Sequence, residues 1–510
     1  MRQSPPADEA APLRIADARG RWTLLATVLG SSVVLLGSTV TNVALPRIGD
    51  DFDADLAVLQ WTVNAYMLTL AGLILLGGSL GDRFGRRRIF VLGIVWFAAA
   101  SLLCGLAPDT TTLIAARALQ GVGGALLTPG SLAIIEASFH PDDRPRAIGL
   151  WSGFGGIGAA LGPFLGGWLV DGPGWRWTFL LTIPPALVCV PLALRHVPES
   201  VGRPTRPNAT TATGTGSRRG FDIAGAALGA LTLALATYAL TEARTGGPVV
   251  LVAAAGSVAA GAAFVLVERR SSDPMMPLSI FSSRPFAAIN VITLCVYAGL
   301  GGFFFLTALQ LQIVAGYSAL AAGAAMLPST VLMLLFSSRS GMLAQRLGPR
   351  IPLTVGPLVC GVGMLMTARV GTHASYLSDV LPALLVMGTG MVVMVAPLTV
   401  TLLASVEAAD AGLASGINNA AARAAGLVSV AALPLLVGMG PDAYRSPASF
   451  DTAFGRAMPL CAGLLALGAA VALALPRRTA GTAQPRHGRA HGWLMEPPLV
   501  SRFAHHQALD

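Results

Sequence analysis

Charge is what this 510-residue sequence has least of. Charged residues make up 12% of it against 54% hydrophobic, and the mean hydropathy is +0.67. A soluble protein of this length carries roughly twice that charged fraction. Lysine is missing altogether, so all 34 basic residues are arginine. There is no nucleotide-binding P-loop, which excludes ATP as the direct energy source. No cleavable leader is evident: residues 1–21 are polar and proline-bearing, and the apolar run after them is long enough to span a bilayer. The five cysteines (Cys104, Cys189, Cys295, Cys360, Cys461) all fall inside apolar runs. Such an odd, scattered set argues against a disulfide framework or a metal site and reads as small apolar packing residues.

What is there is a succession of apolar runs of about 20 residues, each able to cross a hydrocarbon core of about 30 Å. Fourteen are predicted, near 22–45, 59–80, 89–107, 110–135, 146–170, 176–195, 221–241, 248–267, 286–310, 318–338, 352–370, 380–404, 411–438 and 456–475. The fold class that follows is an all-α polytopic membrane protein. Between the runs, 196–220 is rich in Pro, Thr and Gly and reads as a flexible linker, and 476–510 reads as a disordered tail.

The arginines are not spread evenly. Connections and tails on one side of the membrane hold 26; the other side holds Arg47, Arg176, Arg244, Arg369, Arg445 and Arg456. The positive-inside rule places the rich side, with both termini, in the cytoplasm. The net charge of +9 is thus topological, and nucleic acid is not an expected partner. Two arginines remain, Arg117 and Arg423, inside the fourth and thirteenth runs. A bare guanidinium in a span costs about 2.5–3.5 kcal/mol on insertion scales, so each must face protein or water.

Four motifs carry mechanism. After the second run comes GSLGDRFGRRRIF, in which Gly81 and Gly85 permit a tight turn, Asp82 can cap or pair, and Arg86, Arg87 and Arg88 anchor the segment. A weaker copy, GMLAQRLGPR, follows the tenth run, with Gln345 where the first copy has Asp82. The fourth run places Arg117, Gln120 and Gly121 as R-x-x-Q-G. The fifth holds Gly158, Gly162 and Gly166 at four-residue spacing, a smooth face for close helix packing, with Pro163 introducing a bend.

Taken in order, these motifs resemble those of the major facilitator superfamily, over about residues 22–475. G-x-x-x-G-P-x-x-G-G in the fifth run and fourteen runs together resemble its 14-span drug–proton antiporter subfamily. The resemblance implies two pseudo-symmetric six-helix halves, 22–195 and 268–475, with inserted helices at 221–267 and a cytoplasmic N-terminal tail at 1–21. It implies a non-enzymatic exporter of small amphipathic compounds, working as a monomer by alternating access in a bacterial inner membrane and using a proton gradient with no cofactor. It assigns coupling and gating to Arg117, Gln120, Asp82, Arg83, Arg86, Gly162 and Pro163. Pocket candidates are Asn42, Trp61, Asn64, Tyr66, Tyr297, Gln310, Asn418 and Arg423. The all-arginine, alanine-rich composition fits a bacterial genome of high GC content.

One departure stands out. The first run reads LGSTVTNVALP, where the resembled pattern has an acid at the position of Gly37. Desolvation raises a carboxylate's pKa toward neutrality, which suits it to loading and unloading protons; glycine cannot do this. Coupling then falls to Glu136, Asp222 or Glu242, or to a charge on the substrate, or is absent. The arginines of the interior favour neutral or anionic substrates. An uncoupled or substrate-driven carrier or importer of an organic anion is the alternative, and a non-transporting membrane sensor or assembly protein is the alternative of another class.

Overall fold

The computed structural model describes residues 12–201, 222–271, 274–407, 410–440 and 443–476. Of the tails and the linker, 1–11, 202–221 and 477–510 lie outside them. Among the described residues there is no strand. The chain runs through α1 (Ala18–Asp51), α2 (Leu56–Phe84), α3 (Arg86–Gly105), α4 (Thr110–Ser138), α5 (Arg144–Asp171), α6 (Arg176–Leu180) and α7 (Ile183–His196). An inserted hairpin follows, α8 (Ile223–Thr241) and α9 (Pro248–Arg270). The second set is α10 (Arg284–Ile313), α11 (Ala319–Ala325), α12 (Leu327–Leu347), α13 (Arg350–Thr367), α14 (Leu381–Ala404), α15 (Ala411–Leu436) and α16 (Pro447–Ala472).

Thirteen helical stretches among the described residues are long and apolar enough to cross a membrane, α6 with α7 and α11 with part of α12 each counting as one. The 28-residue α5 lies between two of them. Two of the predicted runs, 176–195 and 318–338, are each broken into two helices at a proline, and a third, 380–404, starts at one. Pro184 and Pro185 open α7, Pro328 opens α12 and Pro382 opens α14, because proline fits a first turn but lacks the N–H a helix interior needs. Helix starts are capped by side-chain oxygens of Asp55, Asp109, Asp222, Ser283 and Ser318. At the solvent-exposed Asp109 the amide and hydroxyl of Thr112 hold the carboxyl below its usual range.

In the first set α4 packs on α2 and α3, and α1 on α5 and α7; in the second, α14 packs on α12 and α13, and α10 on α15 and α16. The sets meet where α5 touches α11 and α12, α2 touches α15, and α1 touches α10. Helix α8 lies against both α2 and α15, while α9 packs on α8.

The described hydrogen bonds and ion pairs that join the two sets cluster at the membrane face opposite the termini. The Gln60 amide donates to the Val430 carbonyl at 2.6 Å, and Gln312 to that of Val43 at 3.1 Å. Asp171 accepts from the Ala319 and Leu320 amides at 3.2 and 2.8 Å, so one set caps a helix of the other. Arg445 pairs with Asp53 at 2.5 Å. Here α5 and α11 approach backbone to backbone: a Cβ on Gly323 would stand 2.0 Å from the Pro163 carbonyl oxygen, and one on Gly167 would stand 2.2 Å from that of Ala319. No side chain fits, which is why small residues occupy both surfaces.

Two sequence expectations are corrected. Gly81 does not turn the chain: it is helical and buried within α2, and the turn is made by Gly85 alone, at φ +106. Residues 197–201 are not part of a free linker. The Ser200 carbonyl accepts from the Arg86 amide at 2.9 Å, and Glu199 accepts from the Arg87 amide at 3.0 Å.

Gly323→Leu should force α11 off α5 and lower the melting temperature of the purified protein by the equivalent of about 1–3 kcal/mol. Gly412, around which a Cβ would meet nothing within 4 Å, is the control. Equal melting temperatures for Gly323→Leu and Gly412→Leu would show that the contact does not constrain the fold.

Candidate functional site

Arg117 is the most enclosed charge among the described residues, with no exposed surface. It projects from α4 into the junction of α1, α2 and α3. Its Nε donates to the Thr62 carbonyl at 3.0 Å and its Nη1 to the Gly37 carbonyl at 3.3 Å and to Gln120 Oε1. Gln120 hands the network on to Ser101 Oγ at 2.8 Å, which also accepts from Thr182 at 3.0 Å, just before α7. The guanidinium carbon lies 4.4 Å from the Tyr66 ring centroid and 5.7 Å from that of Phe179. Carbonyl dipoles and ring faces thus do the work a carboxylate does elsewhere. Nη2 keeps no partner.

Position 37 explains the missing acid. A Cβ there would stand 2.8 Å from Cζ of Phe97 and 3.6 Å from Gln120 Nε2. The Phe97 ring fills the volume a carboxylate would need, and the Gly37 carbonyl, instead of a side chain, faces Arg117.

Arg423, on α15, is its counterpart in the second set but sits differently. It is half-buried and, among the described residues, makes no hydrogen bond or ion pair with a protein group. It lies within Coulombic reach of Tyr66 and Tyr297, so it stands where α2, α10 and α15 converge. One turn away, Asn418 Nδ2 donates to Asn290 Oδ1 at 3.3 Å and to Thr293 Oγ1 at 2.7 Å, fixing α15 to α10. Asn64 is fully buried with neither amide atom bonded, and Asn42 Oδ1 is likewise without a partner.

The remaining candidates are spent elsewhere. Gln310 donates to the Val370 carbonyl at 2.6 Å and to Asp451 Oδ1 at 2.7 Å, tying α10 to α16 away from Arg423. The Trp61 indole donates to Glu242 Oε1 at 3.2 Å, facing the inserted hairpin. The Tyr66 hydroxyl donates to the Val34 carbonyl at 3.2 Å. Gly162 and Pro163 lie on the face α5 presents: a Cβ on Gly162 would stand 2.0 Å from Thr39 Oγ1 in α1, and Pro163 meets Gly323.

At the termini face Asp82 pairs with Arg86 at 2.8 Å, Arg86 also donates to the Ala133 carbonyl at 3.0 Å, and Arg83 stacks 5.8 Å above the Phe84 ring. Sequence reasoning missed Glu199, whose carboxylate lies 3.6 Å from Arg87 and 3.7 Å from Arg88. The sole acid of the 196–220 stretch, on the same side as the triple arginine but 111 residues beyond it, was the available signal. A polar cavity of about 800 Å³ opens on the opposite face, lined by Arg47, Asp50, Asp51, Asp171 and Arg445 among others; neither Arg117 nor Arg423 lines it.

Gly37→Asp alone should lower the melting temperature by clashing with Phe97, and Phe97→Ala in the same chain should restore part of it by making room for a carboxylate beside Arg117. The coupling expected from a double-mutant cycle is about 0.5–3 kcal/mol. Additive effects would mean that Phe97 does not exclude the acid.

The family described as Major Facilitator Superfamily matches residues 27–430. The puromycin resistance protein of Streptomyces alboniger is 36% identical over 436 residues, covering 83% of each chain. The tetracenomycin C resistance and export protein of Streptomyces glaucescens is 34% identical over 429 residues, 82% of this chain and 76% of that one. A solved bacterial homolog of the human lysosomal transporter Spinster, inward-facing and unoccupied, superposes with a TM-score of 0.62 at 17% identity over 90% of this chain and 97% of its own. That last likeness concerns the fold alone.

Proposed function

The chain belongs to the major facilitator superfamily, and on that premise we propose that it exports small amphipathic organic compounds by alternating access, driven by a proton gradient. It is a multi-pass membrane protein whose relatives are antibiotic resistance and export proteins. In this reading it works as a monomer and without a cofactor, as a transporter and not an enzyme. The arginine-rich face with both termini is the cytoplasmic side of a bacterial inner membrane.

The observation that carries the reading is the contact of α5 with α11. Two backbones meet through Gly167 and Gly323 with no interlocking side chains, held by the Asp171 cap and flanked by Gln60, Gln312 and Arg445. Few directional bonds must break for such a surface to part, and no side chain must leave a socket. Pro163 lies on this face of α5, against Gly323, while Gly162 lets α5 pack closely on Thr39 of α1 within the same half. Asp82, Arg83 and Arg86, with Glu199 as a further partner, act as the latch of the cytoplasmic face.

Arg423 is the recognition charge in this reading, with Tyr297, Asn418, Asn42 and Asn64 as neighbouring anchors. A guanidinium without a protein counter-charge favours neutral or anionic compounds and disfavours cations. Arg117 and Gln120 transmit movement among α1, α2, α3 and α4 as one hydrogen-bonded block. The filled space at Gly37 favours a second reading, a carrier driven by its substrate alone.

Efflux in inverted membrane vesicles, with neutral, anionic and cationic compounds and with or without a proton gradient, separates the two. Gradient-dependent uptake is expected, and flux indifferent to the gradient would select the substrate-driven carrier. Arg423→Gln should reduce uptake of anionic compounds about ten- to hundredfold, the range for one hydrogen bond to a charged group, and spare neutral ones. Arg117→Ala is a poorer probe, since it unpairs several buried groups at once.

A further inference from the structure

The inserted hairpin holds a pair of acids that the transport cycle above does not use. Asp222 caps α8, its Oδ1 accepting from the Gly225 amide at 2.7 Å. Glu268, near the end of α9, is 3% exposed, and its Oε2 accepts from the Met276 amide at 3.0 Å. The second oxygen of each, Asp222 Oδ2 and Glu268 Oε1, is buried without a partner. These two orphans converge on one point: a Cβ on Gly225 would stand 2.6 Å from the first and 2.8 Å from the second. The two carboxyl groups are within hydrogen-bonding reach of each other.

Two carboxylates cannot satisfy each other, since neither has a hydrogen to give. One bound proton supplies the donor both lack and reduces the pair's charge from −2 to −1. A divalent cation fits less well: it needs six or more oxygens, whereas two of the four here are engaged with amides, and no cluster of three metal-ligating side chains occurs among the described residues. The neighbouring charges are accounted for. Arg269 and Arg270 are exposed. Of the helices against α8, α2 ends with Asp82, which pairs with Arg86, and Arg83, which stacks on Phe84; α15 begins after Glu407 and Asp410. None of these is a hydrogen-bond partner of the pair.

We propose that Asp222 and Glu268 form a proton-binding site, one proton held between Oδ2 and Oε1, that sets the docking of the inserted hairpin between the two halves. The proton comes from the aqueous phase at the arginine-rich face and returns there. With the proton, the bases of α8 and α9 are joined; without it, two negative charges push them apart. Helix α8 transmits the difference, because it packs on α2 and α15, one from each half, and touches α2 closely where a Cβ on Gly72 would stand 2.9 Å from Ala230 Cβ. The effect on transport rests on the exporter reading; the site itself does not.

The test uses the full chain in liposomes and two readouts. Infrared difference spectra between acidic and alkaline medium should show a protonated-carboxyl carbonyl band in the wild type, lost in Glu268→Gln and in Asp222→Asn. Gradient-free counterflow of a transported compound should change rate with pH at the arginine-rich face and lose that dependence in both variants. Glu268→Gln should hold the acid-pH rate throughout, because its amide donates where the proton did. Bands unchanged in both variants overturn the site; a lost band with an unchanged pH profile overturns the docking role. A titrating band in a protein that moves no compound keeps the site and removes the exporter reading. Should Glu268→Gln fail to fold, Asp222→Asn carries both readouts.

Discussion

A cation with no acid beside it organises the first half of this protein. Within a bilayer each polar group must be answered inside the protein, and a guanidinium, with five donors, asks more than any other side chain. Arg117 takes its answers from the carbonyls of Gly37 and Thr62 and from Gln120, so it binds α1 and α2 to its own helix directly and α3 through the bond of Gln120 to Ser101. The backbone carbonyl of Gly37 is available only because α1 comes close to α4 at that level. The rings of Tyr66 and Phe179 then flank the charge as apolar walls. Moving any one of these helices means moving the block, which is how a half can rock as a rigid body.

The same demand explains where the halves touch. Side chains that interlocked across the interface would have to be withdrawn at each turn of the cycle, at a cost set by their packing. Backbone against backbone through glycine avoids this, and the polar ties that do cross are placed at the opposite face, where water can take over when they part. Asp171 illustrates the logic: its carboxylate caps α11 when the face is closed, and both it and the two amides have solvent as the other partner.

Much of this was legible in the sequence, for physical reasons that differ element by element. The runs were visible because lipid imposes length and hydropathy on them, and the close face of α5 because Gly158, Gly162 and Gly166 recur every four residues. The roles of Gly37 and Gln310 were not. Whether a glycine leaves a vacancy or receives a ring depends on Phe97, sixty residues away in the chain, and Gln310 finds Asp451 only through the fold. The turn at Gly81 failed because local propensity was outweighed: helix α2 continues three residues past it, with its last turn carrying Arg83, and only Gly85 takes the positive φ. Glu199 and Glu268 were missed for a related reason, since an acid outside a motif acquires meaning only from what the fold sets beside it.

Charge is consequently sorted by sign and by depth. Among the described residues the membrane interior holds two guanidinium groups, one enclosed and one half-open, while carboxylates lie toward the two faces. In a chain with an acid on the first span, substrate and proton compete for one neighbourhood, and a cationic substrate is the natural rival of the proton. In the proposed reading the two are separated: compounds meet Arg423 between the halves, and the acids sit at the hairpin and the loops. Separation removes direct competition, so any coupling must pass through helix position. The element placed to carry it is α8, which touches a helix of each half and ends, at the arginine-rich face, on a pair of acids.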